Sequence, residues 1–136
     1  MIEGWHCDDY YILLSREEAI RAAYAYDLSR LLPNYELVGL RSWDEFIVQS
    51  PDSRLFTVPT VPVASAYLKF LEGTLPQLLH SDTKRLGKIK WYVTPIAFGG
   101  SPDAPENITW VSHTQHAELV RWWNSKFVLT TGSATT

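Results

Sequence analysis

The chain lacks three features that would point to particular classes of protein. It has a single cysteine, Cys7, so an internal disulfide is excluded and a reducing compartment is favoured. It has no basic run, and its net charge of −3 makes nucleic acid a poor partner, because phosphate neutralisation dominates that kind of affinity. No stretch approaches the roughly 20 apolar residues that span a bilayer. We therefore expect a cytoplasmic protein that binds neither nucleic acid nor a membrane.

The size and composition are those of one globular domain. Of the 136 residues, 46% are hydrophobic and 20% are charged, so a single core can form. Aromatic residues make up 13%, a high share that fits either a large core or a binding surface. We expect one domain over residues 1–129, followed by a disordered tail, residues 130–136, that is rich in small polar residues.

An N-terminal helix is predicted after Ser15. Ser15 and Glu18 have the spacing of a capping box, in which each side chain satisfies a backbone N–H of the other residue. Pro33 ends the helix, because its ring cannot continue the hydrogen-bond ladder. Helical spacing predicts one buried face that consists of Ala19, Ile20, Ala23, Tyr24, Leu28, Leu31 and Leu32.

A tryptophan-rich helix is predicted near the C-terminus. Ser112 and Gln115 repeat the capping-box spacing, and the helix is expected to run from about residue 113 to 127. Trp122 and Trp123 differ by about 100° around such a helix. We therefore expect at least one of them to pack in the core, while the other can be partly exposed.

The strands are predicted in clusters rather than in alternation with helices. Short apolar or alternating runs predict strands at residues 10–14, 36–41, 45–49, 55–58, 89–94 and 108–111. The sequence Ser50-Pro51-Asp52-Ser53 predicts a turn that makes a hairpin of the third and fourth of these strands. Residues 64–71 are expected to form a short helix. This order favours an α+β fold, in which an antiparallel sheet carries the N-terminal and the tryptophan-rich helices.

The spacing of His113 and His116 is the strongest hint of a metal site. Residues three apart share a helix face, so the two imidazoles could bind one metal ion. A zinc site needs further ligands, and the remaining histidines, His6 and His80, are distant in sequence. The structural interpretation is favoured, with His113 solvated in the first turn and His116 packed under the preceding strand. We expect no bound metal and no cofactor.

Four segments in the C-terminal third resemble a pattern found in small bacterial proteins. These are Lys90-Trp91-Tyr92, Pro95 to Gly100, Pro105 to Val111, and His116 to Asn124. The turn Leu31-Leu32-Pro33-Asn34-Tyr35 adds to the likeness. Together they resemble SMI1/KNR4-like (SUKH-type) proteins and similar immunity proteins encoded beside polymorphic or type VI secreted toxins. The resemblance implies an α+β fold and a non-enzymatic role, in which the protein binds a cognate toxin domain and blocks its active site.

The sequence-based hypothesis is therefore an immunity protein, monomeric or weakly dimeric, whose partner is a protein toxin. The acidic balance would suit a basic toxin. Loops and hairpin ends project from a sheet, so the expected contact residues are Trp43, Asp44, Glu45, Asp103 and Glu106. Two alternatives remain open, namely a small metal-dependent hydrolase that uses His113 and His116, and a non-catalytic scaffold domain.

Overall fold

The computed structural model describes residues 1–131 of the chain. Within that range the elements are β1 (Ile2–His6), β2 (Asp9–Leu13), α1 (Arg16–Tyr26), α2 (Leu28–Leu31), β3 (Glu36–Arg41), β4 (Glu45–Gln49), β5 (Leu55–Pro59), β6 (Lys69–Phe70), β7 (Ile89–Tyr92), β8 (Ile108–Val111) and α3 (His113–Thr131). Strands β1 to β6 form one antiparallel sheet in chain order, and β7 pairs with β8 in a separate hairpin. The predicted α+β class and the antiparallel sheet are confirmed. No helix in the described range is long and apolar enough to cross a membrane.

The hydrophobic core lies on one face of the six-stranded sheet. Alternate residues of a strand point to opposite faces, and the register aligns Leu40, Phe46 and Val58 side by side on the core face. All three are at most 2% exposed. Helix α1 packs on β3 and on α3, and α3 in turn packs on β7. The core is thus closed by the first helix, the last helix and the β7–β8 hairpin.

The opposite face of the sheet is also partly covered. Ile47 and Thr57 lie opposite each other on this face and are at most 2% exposed. The chain leaves β6 at one edge and reaches the other edge at His80, which exchanges two backbone hydrogen bonds of 2.8 Å with Trp5. A Cβ on Gly4 would lie 2.6 Å from the carbonyl oxygen of His80, so this approach requires glycine. The segment from β6 to His80 therefore joins the two edges of the sheet.

Helix α1 begins as predicted and ends earlier than predicted. Ser15 and Glu18 form the full capping box. The helix stops at Tyr26, because Asp27 adopts a left-handed conformation with φ of 58°, and α2 follows as a separate short turn. The predicted buried face is wrong at two positions, since Ile20 is 62% and Tyr24 86% exposed. The burial of Tyr26 fixes the rotation of the helix, so that small alanines and Tyr26 face the core.

Two further predictions differ from the structure, and one strand was not expected. Residues 64–71 form a 3-10 turn at Ser65–Tyr67 and then strand β6, because Phe70 pairs with Phe56 at the sheet edge. Strand β1 was not predicted, since its sequence is polar at several positions. Helix α3 continues to Thr131, two residues into the segment expected to be a tail, and residues 132–136 lie outside the described residues.

The predicted cap of α3 is present and should be measurable. The hydroxyl of Ser112 accepts a hydrogen bond from Gln115 N–H at 3.1 Å, and Gln115 Oε1 accepts one from Ser112 N–H at 3.0 Å. We expect Ser112→Ala to lower the free energy of unfolding by about 1 kcal/mol in urea titrations. Ser125→Ala, at an exposed position inside the same helix, is the matched control and should cost nothing. An equal loss in both variants would show that the cap adds no stability.

Candidate functional site

The turn between β3 and β4 shapes one end of the sheet. Ser42 and Trp43 both have positive φ, 50° and 64°, so the chain reverses sharply before Asp44. The carbonyl oxygen of Asp44 accepts a hydrogen bond from Thr60 N–H at 3.0 Å. This bond fixes the turn against the segment that follows β5.

The prediction that Trp43 projects from this turn is wrong. It is 7% exposed, and its ring stacks on Tyr10 with the ring centroids 4.6 Å apart. Trp110 and Trp5 pack edge-on against it at 5.0 and 5.7 Å. Such aromatic clusters add to the stabilisation that burial alone provides. Trp43 therefore anchors the turn in the core and presents little surface to a partner.

Asn124 of α3 holds the segment after β5 in place. It is 1% exposed, and its Oδ1 accepts a hydrogen bond from Val63 N–H at 2.7 Å. Its Nδ2 donates to the carbonyl oxygens of Thr60 at 2.8 Å and Val120 at 2.9 Å. One side chain thus satisfies backbone groups on both sides of the cis Val61–Pro62 bond.

Strand β7 contributes residues 90–92 to the same region of the structure. Trp91 is 6% exposed and packs edge-on against His116, with ring centroids 5.6 Å apart. Its neighbours Lys90 and Tyr92 are half-buried. The ammonium of Lys90 lies 5.2 Å from the centre of the Tyr92 ring, a cation–π contact.

These elements enclose a cleft of about 620 Å³, which we call the Asp44 cleft. It is lined by residues 43–45, 59–62, Tyr67, 90–92, 95–97 and Phe127. A second cleft of the same volume lies between α1 and β3, beside the exposed Ile20 and Tyr24. The Asp44 cleft is the better candidate site, because it combines apolar walls with several converging charged groups.

The charges in the Asp44 cleft are not equally available. Glu45 Oε1 accepts hydrogen bonds from Arg41 Nε at 3.0 Å and Nη2 at 2.9 Å, so its charge is compensated within the chain. Asp44 forms no salt bridge with any residue that the structure describes. Although Asp44 is open to solvent on one side, the cleft desolvates its carboxyl and, together with the charge of Glu45, raises its pKa to about 6. A carboxylate in this condition gains from any cation that a ligand brings.

The two other predicted contact residues lie elsewhere. Asp103 and Glu106 are exposed on the loop that joins β7 to β8, and neither lines the Asp44 cleft. Asn107 orders this loop, because its Oδ1 accepts from Thr94 N–H at 2.8 Å and its Nδ2 donates to the carbonyl oxygens of Thr94 and Ser101 at 3.0 Å. The structure thus brings Trp43, Asp44 and Glu45 together and leaves the loop acids apart.

His113 is half-buried and His116 is completely buried. The Nδ1 of His116 lies 2.6 Å from the hydroxyl of Tyr26. Burial lowers the pKa of His116 to about 3, and burial also lowers that of His113. No group of three or more potential metal-ligating side chains occurs among residues 1–131.

Sequence reasoning missed two residues that line the cleft, Lys90 and Tyr67, and also Asn124, which holds the segment at residues 60–63 in place. A signal existed for Asn124, because residues 116, 120 and 124 recur at a spacing of four, which puts a polar amide on the buried side of α3. Lys90 and Tyr67 come from segments distant in sequence from Asp44. Their proximity depends on the path of the chain between β5 and β7.

Comparisons with known proteins identify no relative: no family model, curated protein or solved structure matches the chain. The SUKH-type resemblance therefore stays a resemblance in short segments of the chain.

Proposed function

We propose that this chain is a cytoplasmic, non-enzymatic immunity protein that binds a cognate bacterial toxin and neutralises it by covering the active site. The observation that supports this most directly is the Asp44 cleft. It offers a carboxylate that has no salt-bridge partner among the described residues and that lies beside apolar and aromatic side chains, a combination suited to anchoring a cationic group of a protein partner. The resemblance to SUKH-type proteins points to the same role.

The expected partner carries a basic patch. Asp44 would face that patch at the centre of the interface, with the exposed side chains of Tyr67 and Ile96 at the rim of the cleft supplying apolar contact area. Asp103 and Glu106 would act at longer range, because exposed acids speed the approach of a basic partner and add little to its final affinity. The net charge of −3 has the sign that this attraction needs.

Co-expression with the product of the adjacent gene in the native host tests the proposal. The neighbour should be toxic when expressed alone and harmless in the presence of this chain, and the two purified proteins should form a stable complex. A neighbour that is not toxic, or one that stays toxic beside this chain, would contradict the proposed function.

Asp44→Asn should weaken toxin binding while the fold is retained. The variant keeps the shape of the side chain and removes its charge, so we expect the Kd to rise about tenfold, as calorimetry would measure. Its free energy of unfolding should be equal to that of the unmodified protein or higher by less than about 1 kcal/mol. The reason is that the substitution removes a desolvated but partly exposed charge. Glu106→Asn, an acid outside the cleft, should change the association rate more than the dissociation rate. If Asp44→Asn and the unmodified protein bind the toxin with equal affinity, the cleft is not part of the interface.

A further inference from the structure

The chemistry of the Asp44 cleft indicates which group of the partner it binds. Glu45 is neutralised by Arg41 through two hydrogen bonds, so Asp44 is the carboxylate left for a ligand. An anionic ligand would be repelled by the Asp44 carboxylate, which has no salt-bridge partner among the described residues. A neutral apolar ligand would bury the Asp44 carboxylate without a partner, which costs free energy. A cation is the ligand that removes this cost.

The walls of the cleft favour a particular type of cation. Two of the lining residues already form a cation–π contact, in which the ammonium of Lys90 lies over the ring of Tyr92. Tyr67, which comes from a different segment of the chain, also lines the cleft and is 47% exposed. A guanidinium is planar and weakly hydrated, so it stacks on such rings more readily than a compact ammonium does, and it can donate two parallel hydrogen bonds to one carboxylate.

We infer that the Asp44 cleft receives a single arginine side chain of the partner protein, whose guanidinium donates to Asp44 and stacks on the aromatic wall. This inference rests on the proposed function for the source of the arginine, and only for that. The partial desolvation of the Asp44 carboxyl supports it, because a partly desolvated charge pair is stronger than the same pair in water. Lys90 also lines the cleft and its charge acts on Asp44, so the arginine is expected to approach Asp44 from the side away from Lys90.

The inference can be tested without the toxin. The probes are Nα-acetyl-arginine amide, the corresponding lysine compound, and the citrulline compound, which has the shape of arginine without its charge. Nitrogen-15 NMR spectra of the full chain would follow the indole N–H of Trp91 and the backbone amides of residues 43–45 and 90–92. We expect saturable shifts with the arginine compound, weaker ones with lysine, and binding about tenfold weaker with citrulline.

Two variants locate the response. Asp44→Asn should weaken binding of the arginine compound about tenfold, and Glu106→Gln, which removes an acid outside the cleft, should leave it unchanged. The inference is overturned if citrulline or lysine binds as tightly as arginine, if Asp44→Asn binds arginine like the unmodified protein, or if no cleft resonance shifts. Arginine binding without a neutralised toxin would overturn the proposed function alone. Toxin neutralisation without arginine binding would overturn this inference alone.

Discussion

Replacing Asn124 by alanine should lower the free energy of unfolding by about 2 to 4 kcal/mol. The substitution removes the acceptor of the Val63 N–H and the donor to the Thr60 carbonyl, both of which are buried with the amide. A buried polar group that loses its partner costs about 1 to 3 kcal/mol, and here two groups lose theirs at once. The loss should therefore exceed that of an ordinary surface hydrogen bond several times.

Urea unfolding at neutral pH measures this effect, and amide hydrogen exchange locates it. Val63 N–H should exchange much faster in Asn124→Ala, because the side chain that accepts its hydrogen bond has gone. Ser125→Ala, the exposed neighbour on the same helix, should leave both stability and exchange unchanged. Because Thr60 and Pro62 line the Asp44 cleft, the alanine variant should also bind the arginine probe less well. Unaltered stability would show that Asn124 does not hold this segment.

The second large effect is a loss of stability in mild acid that depends on His116. Its pKa is about 3 in the folded chain, whereas an unfolded histidine titrates near 6.5. Between these two pKa values the unfolded chain binds a proton that the folded chain does not bind. The free energy of unfolding is therefore unaffected by His116 above about pH 6.5 and falls as the pH drops towards 3. Between pH 7 and pH 5 this one residue should remove about 2 kcal/mol, since one pKa unit corresponds to about 1.4 kcal/mol.

His116→Asn isolates this contribution. Asparagine keeps a polar group near the position of Nδ1, opposite the Tyr26 hydroxyl, and cannot be protonated in this range. Its unfolding free energy should be lower at pH 7, yet it should fall about 2 kcal/mol less than that of the unmodified protein between pH 7 and pH 5. His113→Asn is the control for the second, half-buried histidine, whose pKa is lowered in the same direction. Parallel pH profiles for His116→Asn and the unmodified protein would contradict the assignment.

Local signals predicted much of the fold. Both capping boxes and strands β3, β4, β5 and β8 depend on residues within a few positions of each other, and the structure confirms them. The exposure of one tryptophan is also confirmed, because Trp122 is 53% exposed while Trp123 is half-buried. These features follow from spacing and turn chemistry, which a single sequence contains.

The remaining features depend on contacts between distant residues. The rotation of α1 is set by Tyr26 meeting Phe46 and His116, and helical spacing alone could not choose this face over the one with Ile20 and Tyr24. Residues 69–70 form a strand because β5 offers a free edge there. In the site, the position of Asp44 and Glu45 where β4 begins was predictable from the strand pattern. The burial of Trp43 and the approach of Lys90 were not, because Trp5, Trp110 and β7 reach the turn from elsewhere in the chain.

The hydrogen-bonded contact between Tyr26 and His116 spans 90 positions of the sequence, and this has a consequence during synthesis. A ribosome adds about 5 to 20 residues per second, so Tyr26 leaves it roughly 5 to 20 seconds before His116 does. The sheet strands emerge in order and can pair with one another during this interval. Their apolar face, however, is covered only in part, by α1 and the β7–β8 hairpin, until the last helix is translated. A nascent chain of this protein therefore offers chaperones a nearly complete sheet with an incompletely covered apolar side, and a transcript truncated before residue 113 would leave part of that side exposed permanently.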